Sequence, residues 1–281
     1  MQKYLVALLV FSLLIAGSSV LAQEEDPYKD LSAMSLAELE GFGPTREGPR
    51  YAFYLSHFTR WEKGYLGTPL EENLEIRSET AGIIIDPWQD NRYGLKFDAN
   101  VTVQDLDSRN QTGKKYPLRF IKFRPTYFWK FHNGADGSVA DFQFGVGGLK
   151  RWITFTGLPE EVDAGGAVEP TVQFRYRAHR WGISVLGGYF GNINSNQHQS
   201  FYQGRMELQW RWCKSKSHEL RSSLGVGYFR ATKGEDHAVT PTFTISDTVF
   251  DRLRVMVGYN AGVAHDVLYA HNIRGGIGVS F

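Results

Sequence analysis

The sequence predicts an all-β chain: a transmembrane antiparallel β-barrel of about twelve strands, preceded by an export signal and a short N-terminal tail. Three observations lead there. The apolar run at the N-terminus is too short for a membrane-spanning helix, apolar and polar residues alternate with period two from Tyr51 onward, and the chain ends in an alternating segment that closes on Phe281.

Lys3, the apolar run of residues 4–16 and the small residues that follow have the outline of a cleavable signal peptide. Val20 and Ala22 occupy the positions that a signal peptidase reads, so residues 1–22 are assigned to the signal, with cleavage after Ala22. The single cysteine, Cys213, lies far from that site, which removes a lipid anchor, and one thiol cannot build a disulfide framework. Residues 23–50 form a polar tail rich in Gly and Pro toward its end, and residues 35–40 fit the capped start of a short helix. A leader without a role and a plug for the barrel lumen are its two readings.

Strands are predicted at 51–60, 72–85, 92–104, 117–131, 138–152, 167–178, 181–191, 200–213, 218–230, 238–249, 253–264 and 269–281. The alternation is cleanest where Tyr202, Gly204, Met206, Leu208, Trp210 and Trp212 interleave with Gln203, Arg205, Glu207, Gln209 and Arg211. An even barrel with both termini on one side alternates short turns with longer loops. Short turns are expected at 86–91, 132–137, 179–180, 214–217 and 250–252, and loops at 61–71, 105–116, 153–166, 192–199, 231–237 and, shorter than the rest, 265–268. Rings that are apolar with a polar tip prefer the headgroup level. Trp88, Trp129, Trp181, Trp210, Trp212 and Phe281 therefore mark the turn-side edge of the bilayer, and Trp61, Trp152, Tyr189, Tyr202 and Tyr228 the loop-side edge.

The last strand places Ile273, Gly275, Ile277, Val279 and Phe281 on one face and Arg274, Gly276, Gly278 and Ser280 on the other. It resembles the insertion signal of bacterial outer-membrane β-barrels, with Ile273, Ile277, Val279 and Phe281 as its apolar positions. The resemblance implies a Gram-negative outer membrane, contact with the lipid bilayer, recognition by the barrel-assembly machinery and a periplasmic place for residues 23–50.

With the apolar face toward lipid, the other face lines the lumen. Its basic candidates are Lys96, Lys122, Arg124, Arg175, Arg177, Arg205, Arg211, Arg221, Arg254 and Arg274, and its acidic ones Glu75, Glu79, Asp98, Asp141, Glu169 and Glu207. A ring of Arg or Lys favours anionic solutes, so one reading is a narrow channel for small anions. The other is that these charges pair across a modest bore and hold it shut. On the first reading the chain resembles the twelve-stranded channels for acidic oligosaccharides, whose walls are rich in arginine.

His198 and Ser200, two apart and therefore on one face of a strand, resemble the His and Ser of the outer-membrane phospholipases, which implies a lipid hydrolase as the alternative. That family's Ser is followed at once by Asn and Gly, whereas Phe201, Tyr202 and Gln203 follow here. No Asn in the next strand is placed to orient the His. A barrel that conducts nothing and serves structure or assembly is the third possibility. Asp105, Asp107 and Asn110 fall short of a calcium ligand set, the histidines lack metal spacing, and no phosphate-cradling glycine loop occurs. No metal and no cofactor are therefore expected. A net charge of +1 gives no electrostatic case for nucleic acid.

Overall fold

The computed structural model describes residues 50–64, 73–89, 92–108, 118–135, 138–154, 161–193, 200–215, 217–232, 237–250, 252–264 and 267–281. The signal peptide (1–22), the tail with its short helix (23–49), His198 and Asn110 lie outside the described residues, as do the side chains of Asp105, Asp107 and Trp88.

Alternation becomes structure in twelve strands: β1 (Arg50–Gly64), β2 (Asn73–Gln89), β3 (Tyr93–Ser108), β4 (Leu118–Asn133), β5 (Val139–Thr154), β6 (Glu161–Arg177), β7 (Trp181–Ile193), β8 (Phe201–Lys214), β9 (His218–Ala231), β10 (His237–Val249), β11 (Leu253–Ala264) and β12 (Val267–Ser280). Each strand pairs antiparallel with its sequence neighbours, and β1 pairs with β12 to close the barrel. Closure leaves no strand edge, which a bilayer requires because lipid offers no partner to a free N–H or C=O. At the seam Phe281 N–H donates to the Tyr51 carbonyl at 2.8 Å, and Phe53 meets the Phe281 ring edge-on.

Side-chain direction follows the pleat. On β9, Leu224 is 62% exposed and points outward, while Ser223 beside it is buried and points inward. The outward face carries Phe123, Phe144, Val172, Met206, Leu208, Val226, Val257 and Ile277, a surface suited to acyl chains rather than to water. Five short turns join the strands at the end that holds both termini, here called the turn end; the opposite one is the loop end. Trp129, Trp181, Trp210, Trp212 and Phe281 point outward near the turn end, and Trp61, Tyr202 and Tyr228 do so near the loop end. Trp152 lies half-buried beneath the Arg119 guanidinium, 5.3 Å from its ring centre.

Two boundaries differ from the sequence reading for local reasons. β2 runs through Asp86 and Pro87 to Gln89 rather than turning at 86, because a register shift between Ile85 and Trp88 leaves Pro87 outside the regular pairing. β6 begins at Glu161 instead of 167, so its hairpin with β5 extends into the expected loop. There the Asp163 carboxylate accepts both the Lys150 ammonium and the Gly165 N–H, and Gly165 takes φ 88°, a conformation that its missing Cβ permits.

Candidate functional site: the barrel lumen

The inward face is layered along the barrel axis. Toward the turn end, Arg175 donates twice to Asp141 at 2.9 Å, and Gln143 also reaches that carboxylate. Arg211 and Arg221 stand directly opposite each other on β8 and β9, a pairing that by itself repels. Glu219 resolves it by pairing with both: it accepts a hydrogen bond from Arg221 at 2.8 Å and forms an ion pair with Arg211 at 2.5 Å. Arg177, Arg180, Arg211 and Arg221 line one recess at this rim.

The middle layer centres on Glu169 of β6. It accepts from Lys122 Nζ and Arg124 Nη2 of β4 at 2.7 Å each, and from Gln203 of β8 at 2.8 Å. Those strands are two apart, so the contacts must pass over the strand between. On β5 the inward position is Gly147, where a Cβ would stand 3.1 Å from the Glu169 carboxylate and 3.6 Å from Arg124. Nearby, Arg205 donates to Glu207 at 2.8 Å, and Arg274 of β12 donates to Thr244 of β10 at 3.1 Å. On the opposite wall the Tyr54 hydroxyl donates to Asp98 at 3.0 Å, its ring lying over Gly82.

At the loop end the inward face carries an apolar cluster on β4 to β10, with buried Arg151 level with Phe120 and buried Arg60 on β1. Phe120, Leu149, Ala167, Phe190, Phe201, Phe229 and Ala238, from β4 through β10, form one buried cluster. Phe190 stacks on Phe201 at 4.8 Å with rings 9° apart, and Phe201 meets Phe229 edge-on at 6.1 Å.

No protein-family model and no curated protein matches the sequence. Solved structures match in fold. An outer-membrane channel from Pseudomonas putida F1 superposes with a TM-score of 0.56 at 11% identity, over 86% of this chain and 98% of that one. The translocator domain of the autotransporter NalP from Neisseria meningitidis gives 0.53 at 14% identity, over 91% and 96%. The transport unit of the autotransporter AIDA-I from Escherichia coli gives 0.52 at 11% identity, over 91% and 97%. The fold is that of a bacterial outer-membrane β-barrel.

In such a barrel the short turns face the periplasm and the longer loops the exterior. The arginine layer lies at the turn end of the lumen and the aromatic layer at the loop end. Lys96, Lys122, Arg124, Arg175, Arg177, Arg205, Arg211, Arg221, Arg254 and Arg274 all occupy inward positions, as do Asp98, Asp141, Glu169 and Glu207. Glu75 and Glu79 do not. On β2 the inward stripe is Ile76, Ser78 and Thr80, and the Thr80 hydroxyl meets that of Thr102 inside the barrel. Glu75, Arg77 and Glu79 therefore face outward near the outer end, where Glu79 pairs with His57 and Glu75 with Arg77. β2 has 17 residues against the roughly 10 a tilted strand needs to cross a bilayer, so this end carries charge at the headgroup level.

At least four lumen charges escaped the sequence reading, among them Arg60 and Arg151, buried at inward positions of β1 and β5 near the loop end. Lys130 points inward with its ammonium 5.6 Å from the centre of the Phe128 ring, and Glu219 shares the face of Arg221. Counting by twos from Arg124 and from Arg221 reaches both. Ile273, Ile277, Val279 and Phe281 take outward positions on and just beyond β12. The Ser200 hydroxyl accepts the Asn192 N–H at 3.0 Å, and its carbonyl accepts the N–H and hydroxyl of Thr232, so Ser200 ties the outer ends of β7, β8 and β9 together. Among the described residues, no group of three or more His, Cys, Asp or Glu is placed to hold a metal ion.

Proposed function

We propose that this barrel is a narrow outer-membrane channel that favours small anionic solutes. The carrying observation is the wall between the aromatic layer and the periplasmic rim, where basic side chains outnumber acidic ones. The ion pairs Lys122–Glu169, Arg124–Glu169, Arg175–Asp141, Arg205–Glu207 and Arg211–Glu219 each lie within one strand or join strands at most two apart. These five pairs run along the wall. A positive excess held in that way offers a passing anion successive guanidinium and ammonium donors, the arrangement that makes a pore anion-selective.

Export through cleavage after Ala22 and assembly through the terminal strand belong to the same reading. The test is conductance of the refolded full chain in planar bilayers. A salt gradient is expected to give a reversal potential on the anion side, and replacing Arg175, Arg177, Arg205 and Arg211 together with Ala is expected to move it toward zero. Absence of any current across the accessible voltage range would refute the reading.

A further inference from the structure

The net charge of +1 conceals a division along the chain. Residues 23–49 hold seven acidic side chains against Lys29 and Arg46, whereas residues 50–281 hold 28 Lys and Arg against 23 Asp and Glu. The acidic segment joins the basic barrel at Arg50, which opens β1 at the turn end. That is also the end where arginines gather. Arg177, Arg180, Arg211 and Arg221 line the rim recess together with Trp181 and Trp210. Arg180, in the turn between β6 and β7, is exposed and the other three arginines are half-buried, so the recess opens to solvent at the rim. Counted with the Arg175–Asp141 pair beside it, five guanidiniums stand against the two carboxylates of Asp141 and Glu219. A positive excess of this kind attracts carboxylates, which a guanidinium fork can take in paired hydrogen bonds.

The distances allow the two to meet. Twelve strands about 4.8 Å apart and tilted by about 40° make a ring roughly 24 Å across. β7 lies opposite β1 in the closed order, so the recess is nearly one diameter from Arg50. A segment of 27 residues extends to about 90 Å, which covers that span with length to spare. Tethering also raises the local concentration of its carboxylates to the millimolar range, enough for contacts that are individually worth less than about 1 kcal/mol.

We infer that residues 23–49 dock on the arginine recess at the turn end through their acidic side chains. Resting on the channel reading above, the docked carboxylates occupy one end of the basic path and compete there with a passing anion. The tail then holds the current down at low salt and releases it as salt screens the contact.

The experiment reads docking separately from conduction, in the full chain with Cys213→Ser in lipid vesicles. Ser32→Cys in the tail is paired either with Ala178→Cys, at the recess, or with Asn133→Cys, exposed at the turn end of β4 and nearer to Arg50 around the ring. Disulfide formation under copper phenanthroline is taken relative to the reaction of the same barrel cysteine with hydroxyethyl disulfide, which removes the effect of the arginines on thiol reactivity. At low ionic strength the recess pair is expected to form about fivefold faster than the control pair. The ratio is expected to fall within about twofold at 1 M salt, where the Debye length is about 3 Å. Converting the seven acidic side chains of residues 23–49 to amides is expected to abolish the preference, and Arg180→Glu, in the exposed turn, to reduce it. Equal rates at low salt, or a preference that survives both the amides and 1 M salt, overturn the docking and leave the channel reading intact. In planar bilayers at about 0.1 M salt, chloride current is expected to be about twofold larger with the amide tail than with the wild-type tail. Selective trapping without current from either chain would remove the channel reading and leave the docking in place. Selective trapping with equal currents would overturn the competition with anions.

Discussion

At the scale of single residues, the lumen shows how a barrel holds many charges without collapsing on them. Glu169 is nearly buried and would be unfavourable as a lone carboxylate, yet it has two cations and an amide within hydrogen-bond distance. Glu169→Gln keeps the shape and deletes the charge, leaving Lys122 and Arg124 to face each other over Gly147. We expect a loss of about 3 kcal/mol in unfolding free energy, measured by urea titration in lipid vesicles, because removing one partner strands the others. We also expect the reversal potential in a potassium chloride gradient to move further to the anion side, since the wall gains one unit of positive charge. A variant unchanged in both measurements would show that Glu169 does not set the field in the middle layer.

At the scale of elements, phase is everything, because a shift of one residue exchanges lipid for lumen. Leu224 and Ser223 are adjacent on β9 and face opposite solvents. Leu224→Arg is expected to cost about 2–4 kcal/mol in the same unfolding measurement, whereas Ser223→Arg should cost far less and increase anion preference. Equal penalties would contradict the assigned phase. That phase was legible in the sequence wherever one face is uniformly apolar, as in β8, β9 and β12. It was misread on β2, because Glu75, Arg77 and Glu79 occupy the outward face above the apolar band and the inward Ile76 looks like a lipid contact. The aromatic layer went unread although its parity was available: Phe190 follows Tyr189, Phe201 precedes Tyr202 and Phe229 follows Tyr228, so the alternation that puts these tyrosines outward puts the phenylalanines inside. β6 was shortened because 153–166 was assigned to a loop, and the Asp163 contacts with Lys150 and Gly165 that hold the strand there join residues of both β5 and β6.

For the whole molecule, the ordering of the lumen depends on orientation: an aromatic outer mouth and an arginine-lined inner end make sense for uptake only if the turns face the periplasm. Cys213 provides a native probe of that direction. It is the chain's single cysteine, it is exposed, and it sits at the turn end of β8, next to the turn into β9. Thr232, exposed at the opposite end beyond β9, marks the loop side. A maleimide attached to a polymer too large for porins should leave Cys213 unlabelled on intact cells and label it once the outer membrane is permeabilised. In a Cys213→Ser background, Thr232→Cys should label on intact cells without permeabilisation. The opposite pattern would invert the barrel, placing the arginines at the entrance and the phenylalanines at the exit. An incoming anion would then meet the positive field first and the apolar surface last, and the layered wall would describe efflux rather than capture. The labelling result therefore decides the direction in which the lumen has to be read, independently of whether any current is measured.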